Sequence, residues 1–294
     1  MHKDFDIARW APKFYFANKN ILIMEQLKNY SLHMIPLSTQ HLRAALNTLA
    51  RFHASSILAE AHLGQPLNKV FPNSFNEKYY SNDGYHYEWV LKGADFAVAM
   101  AKKLELKNPE VIKWKMMKVL DTFKPTKLYR NVISHGDLHA NNLMFDNNQP
   151  SRCIFIDFQL VRYAPLVLDL IQLVYLGTYE NVTEQLKLDL LKHYHNVLQK
   201  IIVKNRSIDS GIRSYKEILE AFSHYDNYGK IIRIMYLSPL LKAFSILKKD
   251  FSDVKSMDES FHSTNVKQVF HFIDTNEKFK SQMKILINDI LSIE

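Results

Sequence analysis

The stretch Ile133-Ser134-His135-Gly136-Asp137-Leu138-His139-Ala140-Asn141-Asn142-Leu143-Met144-Phe145, followed by Ile156-Asp157-Phe158-Gln159, decides how this chain is read. Three short apolar runs have strand character: Val132-Ile133, Leu143-Met144-Phe145 and Cys153-Ile154-Phe155-Ile156. The last two are separated by the turn formers Asp146-Asn147-Asn148-Gln149-Pro150. Between the first two lies a polar loop that gathers His135, Asp137, His139, Asn141 and Asn142. Asp157 follows at the end of the last run. A carboxylate at a strand end with no cation beside it in sequence is costly if buried unpaired, so it reads as serving a ligand. Two carboxylates and an amide collected by a hairpin suit a hard cation such as Mg2+, which takes few protein oxygens together with substrate phosphates.

The spacing narrows the chemistry. Asp137 and Asn142 have the D-x-x-x-x-N spacing of a phosphoryl-transfer catalytic loop, and Asp157-Phe158 stands where D-F-G would follow. In that arrangement the first Asp accepts the proton of the attacking hydroxyl, while the Asn and the second Asp hold Mg2+ against nucleotide phosphates. A plain capping turn would explain any one of the three residues, but not the ordered set. A zinc site built on His135 and His139 fails because Gly136-Asp137 breaks the helix that H-E-x-x-H requires. A two-metal phosphoesterase reading of Gly136-Asp137-Leu138-His139 lacks the further D-x-H and N-H-E or N-H-D segments.

Outward from this loop the chain is mostly helical. Phe14–Ala17 and Ile21–Met24, joined by Asn18-Lys19-Asn20, predict a hairpin. From Ser38, the spacing of Leu42, Ala45, Leu46, Leu49, Phe52, His53 and Ile57 predicts a helix that Gly64 closes, with His53 a packed core histidine. Helices are predicted at 86–107 and 109–123, the second with Pro109 in its first turn. The aromatic run Tyr79, Tyr80, Tyr85, Tyr87 and Trp89 reads mainly as helix packing, and could also line an apolar pocket. After Pro165 helical patterning continues almost to Glu294, with breaks near 205–214, 224–229 and 250–258.

Composition removes several function classes. The 294 residues hold only seven glycines, none spaced for G-x-G-x-x-G or G-x-x-x-x-G-K-[ST], which excludes a Rossmann fingerprint and a Walker loop. The net charge of +8 is dispersed along the chain, against a nucleic-acid partner. Single Cys153 permits no internal disulfide and sits in an apolar run as a core residue. Met1–Asp6 has no apolar h-region, and the apolar stretch Leu160–Leu176 is interrupted by Arg162 and Asp169. A cytoplasmic protein without membrane association is expected.

The segments His135–Phe145, Ile156–Gln159 and Arg162-Tyr163 running into Leu168-Asp169-Leu170 closely resemble the ecdysteroid kinase-like (CHK kinase-like) family, within the aminoglycoside phosphotransferase and choline kinase group. Pro12–Phe16 with Leu22–Leu27 resembles the last two N-lobe strands and hinge, and Ala50–Ala54 the first C-lobe helix. The resemblance implies an α+β, protein-kinase-like fold: a remnant N-lobe at 1–27, then a largely helical C-lobe at 28–294 with its catalytic loop and small β-hairpin at 133–159. It implies ATP-dependent phosphorylation of a small-molecule alcohol, with a steroid-like acceptor possible, using ATP and Mg2+. Asp137 would be the catalytic base and Asn142 and Asp157 the Mg2+ ligands. The backbone of Glu25, Gln26 and Leu27 would bind adenine, with Met24 as gatekeeper, and His135 and Asp169 would support the loop. The chain departs from the family at His139, where Trp is common, and near Ala164-Pro165-Leu166, where Gly-Ser-Pro-like residues are common. Lys3, Lys13 and Lys19 stand too close to the hinge to be the ATP lysine, so a truncated form without that lysine and the glycine-rich loop is expected. The alternative is an inactive, nucleotide-binding or scaffolding pseudokinase.

Overall fold

In the computed structural model the described residues are 5–33, 36–76, 85–178, 183–205, 214–246 and 265–293. They fall into two units, 1–77 with 124–225 and 78–123 with 226–294.

The first unit is organised on α1 (Thr39–Leu63). Ser38 caps it by accepting the His41 N–H, and Gly64 ends it in the left-handed region at φ 68°. The apolar stripe anticipated from Leu42 to Ile57 is buried. The helix packs against α6 (Glu184–Lys204), α5 (Val167–Gly177) and two of the strands.

The described strands form three small antiparallel sheets. β1 (Phe14–Ala17) and β2 (Leu22–Met24) form the predicted hairpin, whose turn is closed by Asn18 Oδ1 accepting the N–H groups of Asn20 and Ile21. The hairpin is solvent-facing, with Phe14 and Leu22 each 60% exposed. β5 (Leu143–Asp146) pairs with β6 (Cys153–Phe155) across the anticipated turn, where Asp146 Oδ1 accepts from Asn148 N and Gln149 N. β3 (Tyr30–Ser31) borders β5.

The run at Val132-Ile133 extends to β4 (Asn131–Ser134) and pairs with β7 (Arg162–Pro165), in register Ser134↔Arg162, rather than joining the other hairpin. β7 was not anticipated. Arg-Tyr-Ala-Pro has neither alternation nor an apolar run, and all four residues are buried. α2 (Leu67–Val70) and α7 (Tyr215–His224) complete the unit.

The second unit contains α3 (Tyr85–Lys103), α4 (Val111–Met117), α8 (Asp226–Ile246), α9 (Asn265–Thr275) and α10 (Glu277–Leu291). α3 stops at Lys103 rather than 107, with Glu105 at φ 55° just beyond. The predicted 109–123 helix begins at Val111 and tightens into a 3-10 helix at Lys118–Phe123. There the Thr122 hydroxyl bonds back to the Val119 carbonyl, competing with α-helical pairing. Trp89 packs edge-on against Tyr236, ordinary helix packing for that member of the aromatic run. Tyr79, Tyr80 and most of the breaks at 205–214 and 250–258 lie outside the described residues. The break near 224–229 shrinks to Tyr225. No helix among the described residues is long and apolar enough to cross a membrane.

Candidate active site

β4 delivers the chain into the loop at Ser134, and α5 holds that loop from below through Asp169, which is fully buried. Asp169 Oδ1 accepts from Ser134 Oγ at 2.8 Å and from Gly136 N at 2.9 Å. Its Oδ2 accepts from His135 N at 2.7 Å and lies 3.1 Å from His53 Nε2. Burial works to raise the Asp169 pKa, but the hydrogen bonds the carboxylate accepts, from His53 first and also from the Gly136 N–H, outweigh it, holding the group at about 2. His53 in turn contacts Tyr194 Oη through Nδ1 at 2.7 Å. One carboxylate therefore ties α1, α5 and α6 to three consecutive residues of the loop.

Gln172, one turn beyond Asp169, continues the clamp. Its Oε1 accepts from Leu138 N at 2.8 Å and its Nε2 donates to Gly136 O at 3.4 Å. Arg162, buried on β7, reaches the same Gly136 carbonyl. Gly136 is required here: it sits at φ 81°, and an added Cβ would meet Leu160 O at 2.5 Å and Arg162 Nη1 at 2.9 Å. The backbone on both sides of Asp137 is thus fixed, and its carboxylate is presented from a rigid support.

His135 is fully buried and bonds the backbone through both ring nitrogens. Nδ1 accepts from Asp137 N at 3.3 Å and Nε2 donates to Ile156 O at 3.0 Å. Burial pushes its pKa below the ordinary histidine value, in keeping with this neutral tautomer. The ring is turned inward, so His135 and His139 do not converge as a zinc pair.

Asp137 and Asn142 are brought into direct contact. Asn142 Nδ2 donates to Asp137 O at 2.8 Å and to Asp137 Oδ2 at 3.1 Å. His139 Nε2 lies 3.4 Å from the same Oδ2. Because the amide nitrogen is engaged by Asp137, the carbonyl Oδ1 is the atom Asn142 has left to offer a cation. The Asn142 backbone carbonyl accepts from Ile156 N at 3.1 Å. Ile156 is therefore held on both its polar backbone atoms, by Asn142 and by His135.

Asp157, the next residue, is exposed and takes the left-handed conformation at φ 61°. Outside glycine, Asn and Asp tolerate that region best, and strain of this kind persists only where neighbouring structure imposes it. The structure brings Asp137 and Asn142 into contact, and Asp157 follows β6; carboxylate and amide oxygens are the donor types a hard cation such as Mg2+ takes.

Met24 ends β2 and is exposed. Glu25 N donates to Lys13 O at 2.8 Å, while its carboxylate accepts from Lys13 N at 3.0 Å and from Arg9. The Arg9 hydrogen bond leads in lowering the Glu25 pKa. Gln26 O and Leu27 O accept from Lys28 N and Tyr30 N. Among the described residues the Glu25 carbonyl and the Leu27 N–H have no partner. His53, Gln172, Ser134 and Arg162 are the supports that sequence reading missed. Gln172, at i+3 from Asp169 on the same helix, carried the only local signal.

A family model, the Ecdysteroid kinase-like family, matches residues 2–206, which include every residue of this site. No curated protein matches. Among solved structures, an ethanolamine kinase from Plasmodium vivax is 14% identical with a TM-score of 0.47, over 93% of this chain and 70% of its own. The amicoumacin kinase hAmiN, in complex with AMP-PNP, Ca2+ and Ami, is 14% identical with a TM-score of 0.45, over 85% and 67%. The choline kinase LicA from Streptococcus pneumoniae is 12% identical with a TM-score of 0.43, over 97% and 75%. With its family model matched over more than half its length, the chain, whose described elements are α+β, belongs to the ecdysteroid kinase-like family.

Proposed function

We propose that this chain is an ATP-dependent phosphotransferase acting on a small-molecule alcohol. The observation that carries the reading is the clamped loop, which fixes Asp137 against Asn142 and sets Asp157 one residue beyond the doubly held Ile156. Asp137 accepts the proton of the acceptor hydroxyl as its oxygen attacks the terminal phosphorus of ATP, and ADP leaves. Asn142 Oδ1 and the Asp157 carboxylate would hold Mg2+, which when bound neutralises the nucleotide phosphates. Asp169, Gln172 and His135 act through the backbone, keeping Asp137 oriented. The Glu25 carbonyl and Leu27 N–H would pair with adenine, beside Met24. In this reading residues 1–27 belong to the nucleotide-covering side and 28–294 to the helical lobe. The family match supports an ecdysteroid-like alcohol as acceptor.

A second reading, nucleotide binding without turnover, is favoured by one observation: Lys13 and Lys19, beside and within the hairpin, stand too close to the hinge at Glu25 to be the ATP lysine. Radiolabelled ATP assayed against ecdysteroid, choline and aminoglycoside acceptors separates the two readings. Turnover should fall by about 10²–10⁴ in Asp137→Asn with nucleotide affinity retained. Turnover near that of the parent in Asp137→Asn refutes the base assignment, and binding without turnover in the parent chain selects the second reading.

A further inference from the structure

The residues before the β1–β2 hairpin are absorbed by none of the roles above, yet they touch both ends of the proposed nucleotide site. The segment Phe5–Lys13 runs across the first unit as a strap. Phe5 packs edge-on against His62 near the end of α1, and Asp6 N donates to Asn205 Oδ1 at the end of α6. Further along, Trp10 Nε1 donates to Ser55 Oγ on α1 at 3.0 Å.

Trp10 then grips the Asp157 turn from both sides. On one side its carbonyl accepts from Phe155 N at 2.8 Å, pairing the strap to the end of β6. On the other, its indole meets the Phe158 ring edge-on at 5.6 Å between centroids. Phe158 is enclosed by that indole, by Phe52 at 5.9 Å and by His135 at 4.8 Å. Asp157 lies between these two grips, in the left-handed conformation at φ 61°. The neighbouring strap residue, Arg9, forks onto the carboxylate of Glu25.

We infer that Phe5–Lys13 is a strap coupling the hinge to the metal turn, with Trp10 the positioning residue for Asp157 and Arg9 the positioning residue for Glu25. The inference rests on the proposed nucleotide site for its functional meaning, but its structural content can be tested without nucleotide. Adjacent residues of one extended segment cannot shift independently, so displacement of the turn is transmitted to the hinge through two residues of backbone.

Hydrogen exchange measured by mass spectrometry on the full chain, with Mn2+·ADP titrations alongside, tests this. Trp10→Leu keeps an apolar side chain, though a smaller one, and loses the ring edge and the indole N–H. It should speed exchange across 156–161 by about tenfold or more, and weaken Mn2+·ADP binding. Trp10→Phe should restore protection, because the ring contact with Phe158 survives. Phe5→Ala, at the far end of the strap, should leave 156–161 unchanged. Parent-like exchange at 156–161 in Trp10→Leu overturns the inference. So does an increase spread evenly over α1 and α6 in both Trp10→Leu and Phe5→Ala, the mark of general destabilisation. A parent chain that fails to bind Mn2+·ADP overturns the proposed function separately, and the exchange comparison still decides the strap.

Discussion

Replacing Asp169 with Asn keeps the size of a fully buried side chain and removes only its charge and one acceptor. Whichever way the new amide is turned, its NH2 group faces two donors. These are either Ser134 Oγ and Gly136 N or His135 N and His53. Each buried donor left without an acceptor costs about 1–3 kcal/mol, partly offset because a charge no longer has to be buried. The expected loss is about 3 kcal/mol, or a drop in Tm of roughly 10 °C at about 2–4 °C per kcal/mol. The pH dependence gives an independent figure. The folded pKa of about 2 lies below the ordinary Asp value of 3.8, so the native state binds fewer protons than the unfolded state between them. Asp169 therefore contributes about 2 kcal/mol above pH 4, which is lost as pH falls towards 2. Urea melts followed by circular dichroism from pH 2 to pH 7 measure both effects. The parent should lose stability over that window by more than Asp169→Asn does. A variant within 1 kcal/mol of the parent at pH 7, with an identical acid limb, would refute the claim that this carboxylate holds the loop.

Two further perturbations separate rigid from permissive places. Gly136→Ala and Gly64→Ala both place a side chain at positive φ, but only the first meets neighbours, at 2.5 and 2.9 Å. Gly64→Ala should cost about 1 kcal/mol in urea melts and Gly136→Ala at least about 3, and equal costs would show that the loop can relax. Cys153 is buried, and burial pushes its thiol pKa well up, so a thiol reagent should label the chain only after denaturation. Labelling of the native chain at the rate of a free thiol would place Cys153 at the surface instead.

What the sequence disclosed and what it concealed follow from the range of the interactions. The β5–β6 hairpin was legible because Asp146 Oδ1 organises the turn from within it. α1 was legible because its cap, stripe and terminator all lie within the element. The spacing of Asp137 and Asn142 was legible, and their side chains do meet. β7 was not legible, because its strand character comes from pairing with β4, about thirty residues earlier, and not from its own alternation. His53 was anticipated as a packed core histidine, and it is fully buried; its function as a donor to Asp169 depends on a residue 116 positions away. The over-long helix at 109–123 shows the converse. The apolar spacing fits either helix type, so periodicity alone could not show where the α-helix gives way to the 3-10 turn at Lys118–Phe123.

The central claim is that Asp137, Asn142 and Asp157 form one metal–nucleotide site. Titration of Mn2+ into the chain with ATP present, read by electron paramagnetic resonance, tests it most directly. The account predicts saturable binding to the parent chain, weakened by about tenfold or more in both Asn142→Ala and Asp157→Ala. Folded variants that bind Mn2+·ATP as tightly as the parent would contradict it.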